Sequence, residues 1–235
     1  QNPGTNHPRM LSILEKAKDN RAKIIAINPL PEAGLIRFKD PQKVHGVISD
    51  GVPIADEFVQ IRLGGDMALF AGIGRLLLEA DDRAPGSVVD GDFVRAHTAG
   101  FDAYQSQTRA VDLDTVLEAT GVDREQLGRV AEMMATSQRI VVCWAMGLTQ
   151  HKHAVGSIAE ITNVLLMRGM IGKPGAGLCP VRGHSNVQGD RTMGIWEKMP
   201  ESFLAALDDR FGILSPREHG YDTVEAIRAM RDRKA

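Results

Sequence analysis

Cysteine is nearly absent: Cys143 and Cys179 are the two in 235 residues. Two thiols cannot complete an iron–sulfur cluster or a four-ligand structural zinc site, so neither is built from the cysteines of this chain. They could pair as a disulfide, but their spacing does not call for one, and a reducing compartment, the cytoplasm, is the expectation. Long apolar runs are also missing. None approaches the ~20 residues of a membrane span, so no membrane segment is expected. Charge of one sign is not in excess, with a net charge of -2, which leaves no basic footprint for nucleic acid or anionic lipid. No GxGxxG turn follows a strand-like run, which sets aside a nicotinamide dinucleotide domain. What remains is 43% hydrophobic and 25% charged, enough apolar material for a sizeable core.

The apolar residues are ordered. Met10, Leu11, Ile13, Leu14 and Ala17 recur at helical spacing after Pro8, a first-turn residue. A continuous apolar run over residues 22–28 then reads as a buried parallel strand ending at Asn28-Pro29. A helix leading into such a strand is half of a crossover unit, and the strand expected before the helix is not in the sequence. The chain, which opens on Gln1, is therefore read as an excerpt of a longer protein, and the vacant sheet edge is a place where a second copy could pair. Residues 32–56 are irregular, and 58–62 alternate as a short strand. Gly64-Gly65-Asp66 follows, before a helix with Leu69, Phe70, Ile73, Leu76, Leu77 and Ala80 on one face. This junction is either a plain turn capped by Asp66 or a place where backbone amides meet a polar ligand.

Short helices are expected over 90–120, and Asp123-Arg124-Glu125-Gln126 reads as a capping box opening another. The run 138–145 is a second buried strand, with Cys143 inside it as a small core residue. It ends in the turn Met146-Gly147-Leu148-Thr149-Gln150, ahead of an amphipathic helix over 158–166. The reading is an α/β fold with a mainly parallel, three-layer, Rossmann-like sheet whose loops gather at the carboxyl edge, where such sheets bind ligands. The neighbouring His151-Lys152-His153 offers only two ligands beside a lysine, too few for a metal; a polar, cofactor-facing role is the better reading for His151.

After a glycine-rich turn at 172–177 comes the most polar stretch, Pro180-Val181-Arg182-Gly183-His184-Ser185-Asn186-Val187-Gln188-Gly189. Its donors either meet solvent as an ordinary surface loop or close on something polar.

The run from Gly175 to Gly189 resembles the segment that passes the metal centre in molybdopterin oxidoreductases of the formate dehydrogenase and DMSO reductase superfamily. Trp144 to His151 is similar to that family's pterin-contacting loop, and Asn2-Pro3 with His7-Pro8 to its first nucleotide-contacting loop. The three occur in the family's order and cover roughly residues 1–194, closest to the formate-dehydrogenase-like alpha subunits.

The resemblance implies a bis(molybdopterin guanine dinucleotide) cofactor around molybdenum or tungsten, with two-electron chemistry on a small molecule such as formate. It assigns Asn2, Asn28, Gly64, Gly65 and Asp66 to the nucleotide, with the acid recognising the guanine edge. It assigns Met146, Gly147, Thr149 and Gln150, extended by Gln188 and Gly189, to the pterin. Arg182 and His184 are the catalytic candidates; no metal ligand is assigned, because the family's ligand and any cluster cysteines would lie upstream of Gln1. Two positions depart from the family: Asn28 stands where an acid is common, and His184 where glutamine is frequent. The division expected is a cofactor-binding domain over 1–184 and the start of a neighbouring domain over 185–235, the remaining domains of the parent being its partners. The competing reading is a non-catalytic nucleotide-binding or assembly module using the same edge.

Overall fold

The computed structural model describes residues 2–196 and 198–234, apart from the side chains of residues 45 and 47. They form two compact units, Gln1–Arg182 and Gly183–Ala235.

The first unit opens with α1 (Pro3–Asn6), α2 (Arg9–Asp19) and β1 (Ile25–Asn28). The stretch read as irregular holds α3 (Ala33–Ile36), β2 (Arg37–Phe38), α4 (Val44–Ile48) and β3 (Val52–Pro53), with β2 and β3 paired antiparallel. Next come β4 (Glu57–Gln60) and α5 (Asp66–Arg83), then α6 (Gly91–His97), α7 (Phe101–Arg109), α8 (Leu113–Thr120) and α9 (Arg124–Thr136). The unit closes with β5 (Val141–Trp144), α10 (Met146–Thr149), α11 (Ala154–Met167) and β6 (Gly177–Pro180). Among the described residues no helix is long and apolar enough to cross a membrane.

Parallel pairing is present, but in pieces. β4 lies parallel to β1 with Ile27 opposite Val59, and β6 lies parallel to β5 with Cys143 opposite Cys179. These are separate two-stranded sheets. Both expected strands are shorter than their apolar runs, and β6 was not anticipated, because its bounding Gly177 and Pro180 read as turn residues.

The helix α5 is the spine of the unit. Leu69, Phe70, Ile73 and Leu77 repeat every three or four residues and are buried, so its apolar stripe faces the core. It packs against α7, α8, α9 and α11. Gly72 and Gly74 let two of them come close: a Cβ at Gly72 would stand 2.8 Å from Val116, and one at Gly74 would stand 3.1 Å from the Tyr104 hydroxyl. Arg168 ties the end of α9 to neighbouring loops, its guanidinium donating to the carbonyls of Val88, Ala135 and Ser137.

Helix ends follow their caps. Asp112 accepts from Thr115 N at 3.0 Å, and Asp123 from Gln126 N at 2.7 Å. The capping box expected at Asp123 is only half formed, because the Gln126 amide reaches instead to Glu57 at 2.6 Å. A complete box stands at Asp222 and Glu225.

The second unit contains α12 (Val187–Thr192), α13 (Glu201–Phe211) and α14 (Thr223–Arg231). Arg217 braces it by pairing with Glu201 at 2.9 Å and Asp208 at 2.5 Å. The polar stretch read as one loop is thus divided: its start belongs to β6 and its end to α12.

Candidate functional site

In an open α/β arrangement the strand ends decide where ligands sit. The residues that follow β1, β4 and β5 converge on one cavity of about 420 Å³. Asn28 and Pro29 contribute from β1, Arg62, Gly64 and Asp66 from the turn after β4, and Met146, Gly147, Gln150 and His151 from the turn after β5. Seven sequence-predicted residues therefore meet here: Asn28, Gly64, Asp66, Met146, Gly147, Gln150 and His151.

Asn28 carries the sharpest signal. Its Nδ2 is buried and has no hydrogen-bond partner. A buried amide left unpaired costs roughly 1–3 kcal/mol, so Asn28 brings an unused donor to the cavity wall. Gly64 has φ +83 and open space where a Cβ would stand, and Gly147 is equally open. Two stretches of backbone thus border the cavity with no side chain in front of them.

Asp66 corrects one expectation. It is the first residue of α5, not the cap; Gly65 holds the cap position and no side chain caps the helix. Burial raises the Asp66 carboxyl above the usual carboxylate range, opposed by its own backbone amide and by His151. A first-turn position would by itself lower that value through the helix dipole, so desolvation wins here.

Other candidates lie elsewhere. Gly65 is buried, and a Cβ there would meet Arg62 O at 3.1 Å and Thr120 Cα at 3.2 Å, so its role is packing. Asn2 precedes α1 and donates from Nδ2 to Thr5 Oγ1 at 2.8 Å. Thr149 is exposed at the end of α10, a short helix where a turn was expected. Arg182 is exposed two residues beyond β6, whose carboxyl end is fixed by Val181 N donating to Trp144 O at 2.7 Å. His184, Gln188 and Gly189 belong to the second unit, with Gln188 and Gly189 inside α12. A Cβ at Gly189 would meet only the tip of the exposed Asn186 side chain, which can turn away, so packing does not require glycine there.

Sequence reasoning missed Arg62 as a cavity residue; a lone basic residue after a short strand carries no distinguishing pattern. It is held by donating through Nη1 to Glu118 O and through its backbone N to Thr120 O. Cys143 is also corrected. It is exposed, not a core residue, because its side of β5 has no cover among the described residues. Its sulfur is still partly shielded, and that desolvation, with Cys179 beside it, pushes the thiol up to about 11. Both cysteines are free.

Comparison with known proteins supplies the context. No family model matches the chain. An oxidoreductase of Mycobacterium tuberculosis is 77% identical over 232 residues, covering 99% of this chain and 30% of that protein. Formate dehydrogenase H of Escherichia coli is 31% identical over 193 residues, covering 82% of this chain and 24% of the enzyme. Among solved structures, acetylene hydratase from Pelobacter acetylenicus has a similar fold, with a TM-score of 0.58 at 21% identity over 71% of this chain and 20% of that one. The chain belongs to the molybdopterin oxidoreductase superfamily. It spans about a third or less of the length of these relatives. A molybdenum or tungsten pterin cofactor comes with that family.

The polar groups lining the cavity are chemically compatible with such a group. A carboxylate can accept from both N1–H and the exocyclic amine of guanine, and an unpaired amide with two open glycine backbones suits ribose and phosphate oxygens.

Proposed function

We propose that this chain is the part of a molybdopterin-dependent oxidoreductase that holds the guanine nucleotide of one unit of a bis(molybdopterin guanine dinucleotide) cofactor, with molybdenum or tungsten. The observation that carries the reading is the unpartnered, buried Asn28 Nδ2 in the same cavity as the half-buried Asp66 carboxyl. In this reading residues 1–184 are a three-layer, mainly parallel Rossmann-like domain, and 185–235 begin its neighbour. Asn28, Gly64 and Asp66 hold the nucleotide, while Met146, Gly147 and Gln150 face the pterin. Asn2, Gly65 and Thr149 support that cradle from outside the cavity, and Gln188 and Gly189 extend the pterin contact. The cytoplasm is the proposed compartment, in keeping with two free thiols.

Formate is the substrate proposed, from the name of the Escherichia coli relative. Its oxidation to carbon dioxide releases two electrons and one proton, and the bound metal–pterin group supplies the acceptor for the electrons. Arg182 contributes a planar guanidinium that can hold a carboxylate by two parallel N–H···O bonds, fixing its orientation as charge redistributes. His184 offers an imidazole to receive the released proton.

The test uses the full-length enzyme. Arg182→Lys keeps the charge but loses the fork, and should reduce formate-dependent dye reduction on the order of 10²–10³-fold with the metal content unchanged. Full activity of that variant would remove Arg182 from the chemistry. An effect confined to cofactor loading would favour a binding or assembly role.

A further inference from the structure

Cys143 stands in β5 and Cys179 in β6, and the parallel ladder sets them directly opposite each other. Neighbouring strands lie about 4.8 Å apart and register partners turn their side chains to the same face, so the two sulfurs share one place on the sheet. That face is the one away from the helices. Val142, Trp144 and Leu178, which alternate with the cysteines, pack on the core, whereas Val141 is 53% exposed and both thiols are exposed. Neither thiol fills the core, and neither has a part in the proposed chemistry on formate.

The two side chains interact. Partial burial, the neighbouring Cys179 and a hydrogen bond between the two side chains hold the Cys143 thiol protonated. This suits Cys143 to act as the resolving thiol and Cys179 as the attacking one. The strand that carries Cys179 has room to move. β6 is four residues long and is entered through Gly175 and Gly177, both at positive φ. A disulfide needs its Cβ atoms about 3.5–4.5 Å apart, slightly inside the spacing of adjacent strands, so closing a bridge draws β6 toward β5. A bridge held under that tension is readily reduced, which marks a reversible disulfide rather than a structural one.

We propose that Cys143 and Cys179 form a redox-modification site, a dithiol that hydrogen peroxide oxidises to a disulfide across β5 and β6. One sulfur attacks an oxygen of the peroxide and the O–O bond breaks. The departing hydroxide leaves as water with that thiol's proton, and the sulfur becomes a sulfenic acid. The second sulfur then attacks the first; the S–S bond forms, and the sulfenic oxygen leaves as water with the second thiol's proton. Together the sulfurs lose two electrons and the peroxide is reduced to two waters, so no further reactant is needed. Cys143 also lines the carboxyl-edge cavity, whose wall continues through Trp144 to Met146 and Gly147. Oxidation therefore tightens the strand that leads into that wall. The inference rests on strand geometry and not on the cofactor reading.

The experiment exposes reduced full-length protein, freed of excess reductant, to a small excess of hydrogen peroxide. Remaining thiols are blocked with iodoacetamide, and peptides are mapped by mass spectrometry without reduction. Trypsin places each cysteine in its own peptide, 140–152 and 169–182. The site predicts that these two peptides become joined, with the loss of two hydrogens, and part again in millimolar glutathione. In Cys143→Ser, which lacks the resolving thiol, capture of a sulfenic acid at Cys179 by dimedone should rise about tenfold or more over wild type. Peptides that stay separate after peroxide, or either cysteine joined to another thiol instead, would overturn the proposal. A bridge that survives glutathione would also contradict it.

Discussion

At the scale of single residues, the cavity is an economy of unmet bonds. Asn28 holds a donor that the fold does not use, and Asp66 holds a carboxyl that the fold desolvates. The Asp66 shift has a sign that can be checked. A carboxyl whose folded value is raised binds its proton more tightly in the folded state, so its contribution to stability is present at low pH and declines as pH rises through the raised value. In urea titrations of the unliganded chain, wild type should therefore lose stability relative to Asp66→Asn as pH rises out of the ordinary carboxylate range. Parallel pH profiles would mean that Asp66 is solvated. The same linkage governs the ligand: guanosine diphosphate should bind more tightly as Asp66 ionises, and Asp66→Asn should flatten that dependence and weaken binding at neutral pH about tenfold or more. The asparagine at position 28 and the Gly-Gly-Asp turn were visible in the sequence as polar residues at strand ends. That Gly65 packs on Thr120 while Gly64 stays open was not, because only the path of α8 distinguishes them.

Among elements, legibility tracked the range of the interaction. The stripe of α5 and the apolar runs of β1 and β5 are periodic within their own segments, so the sequence exposes them. The pairing of β6 with β5 is non-local, and a strand written Gly-Leu-Cys-Pro has no local signature; exposure of Cys143 follows from that arrangement, which no window of sequence contains. The short helices α10 and α12 are likewise hidden in polar, glycine-bearing turns. Glycines within α5 provide a quantitative check. Replacing an exposed helical glycine with alanine typically stabilises by about 1 kcal/mol. Gly72→Ala should instead destabilise by roughly 1–3 kcal/mol, since the new methyl would overlap Val116 at 2.8 Å, and denaturant unfolding would show it as a lower midpoint. At the end of α9, Asp123→Ala should cost about 1 kcal/mol through the lost bond to Gln126 N.

For the whole molecule, the core of the first unit is one contiguous cluster centred on α5, with Ile73 and Leu77 fully buried. Leu77→Ala should cost about 2–5 kcal/mol, a large share of what a domain of this size has to lose. In the proposed reading, catalysis belongs to the longer protein, and this chain's part in it is a cradle and an arginine. The 235-residue chain alone should show no formate-dependent dye reduction, and measurable turnover would contradict that division of labour. The claim beneath all of this is that the carboxyl-edge cavity belongs to a metal–pterin cofactor. Metal analysis together with oxidised-pterin fluorescence on the full-length protein, purified anaerobically from a host that makes the cofactor, tests it most directly. The account predicts molybdenum or tungsten at about one metal per two pterins, falling when Asp66 is replaced; folded protein carrying neither metal nor pterin would contradict it.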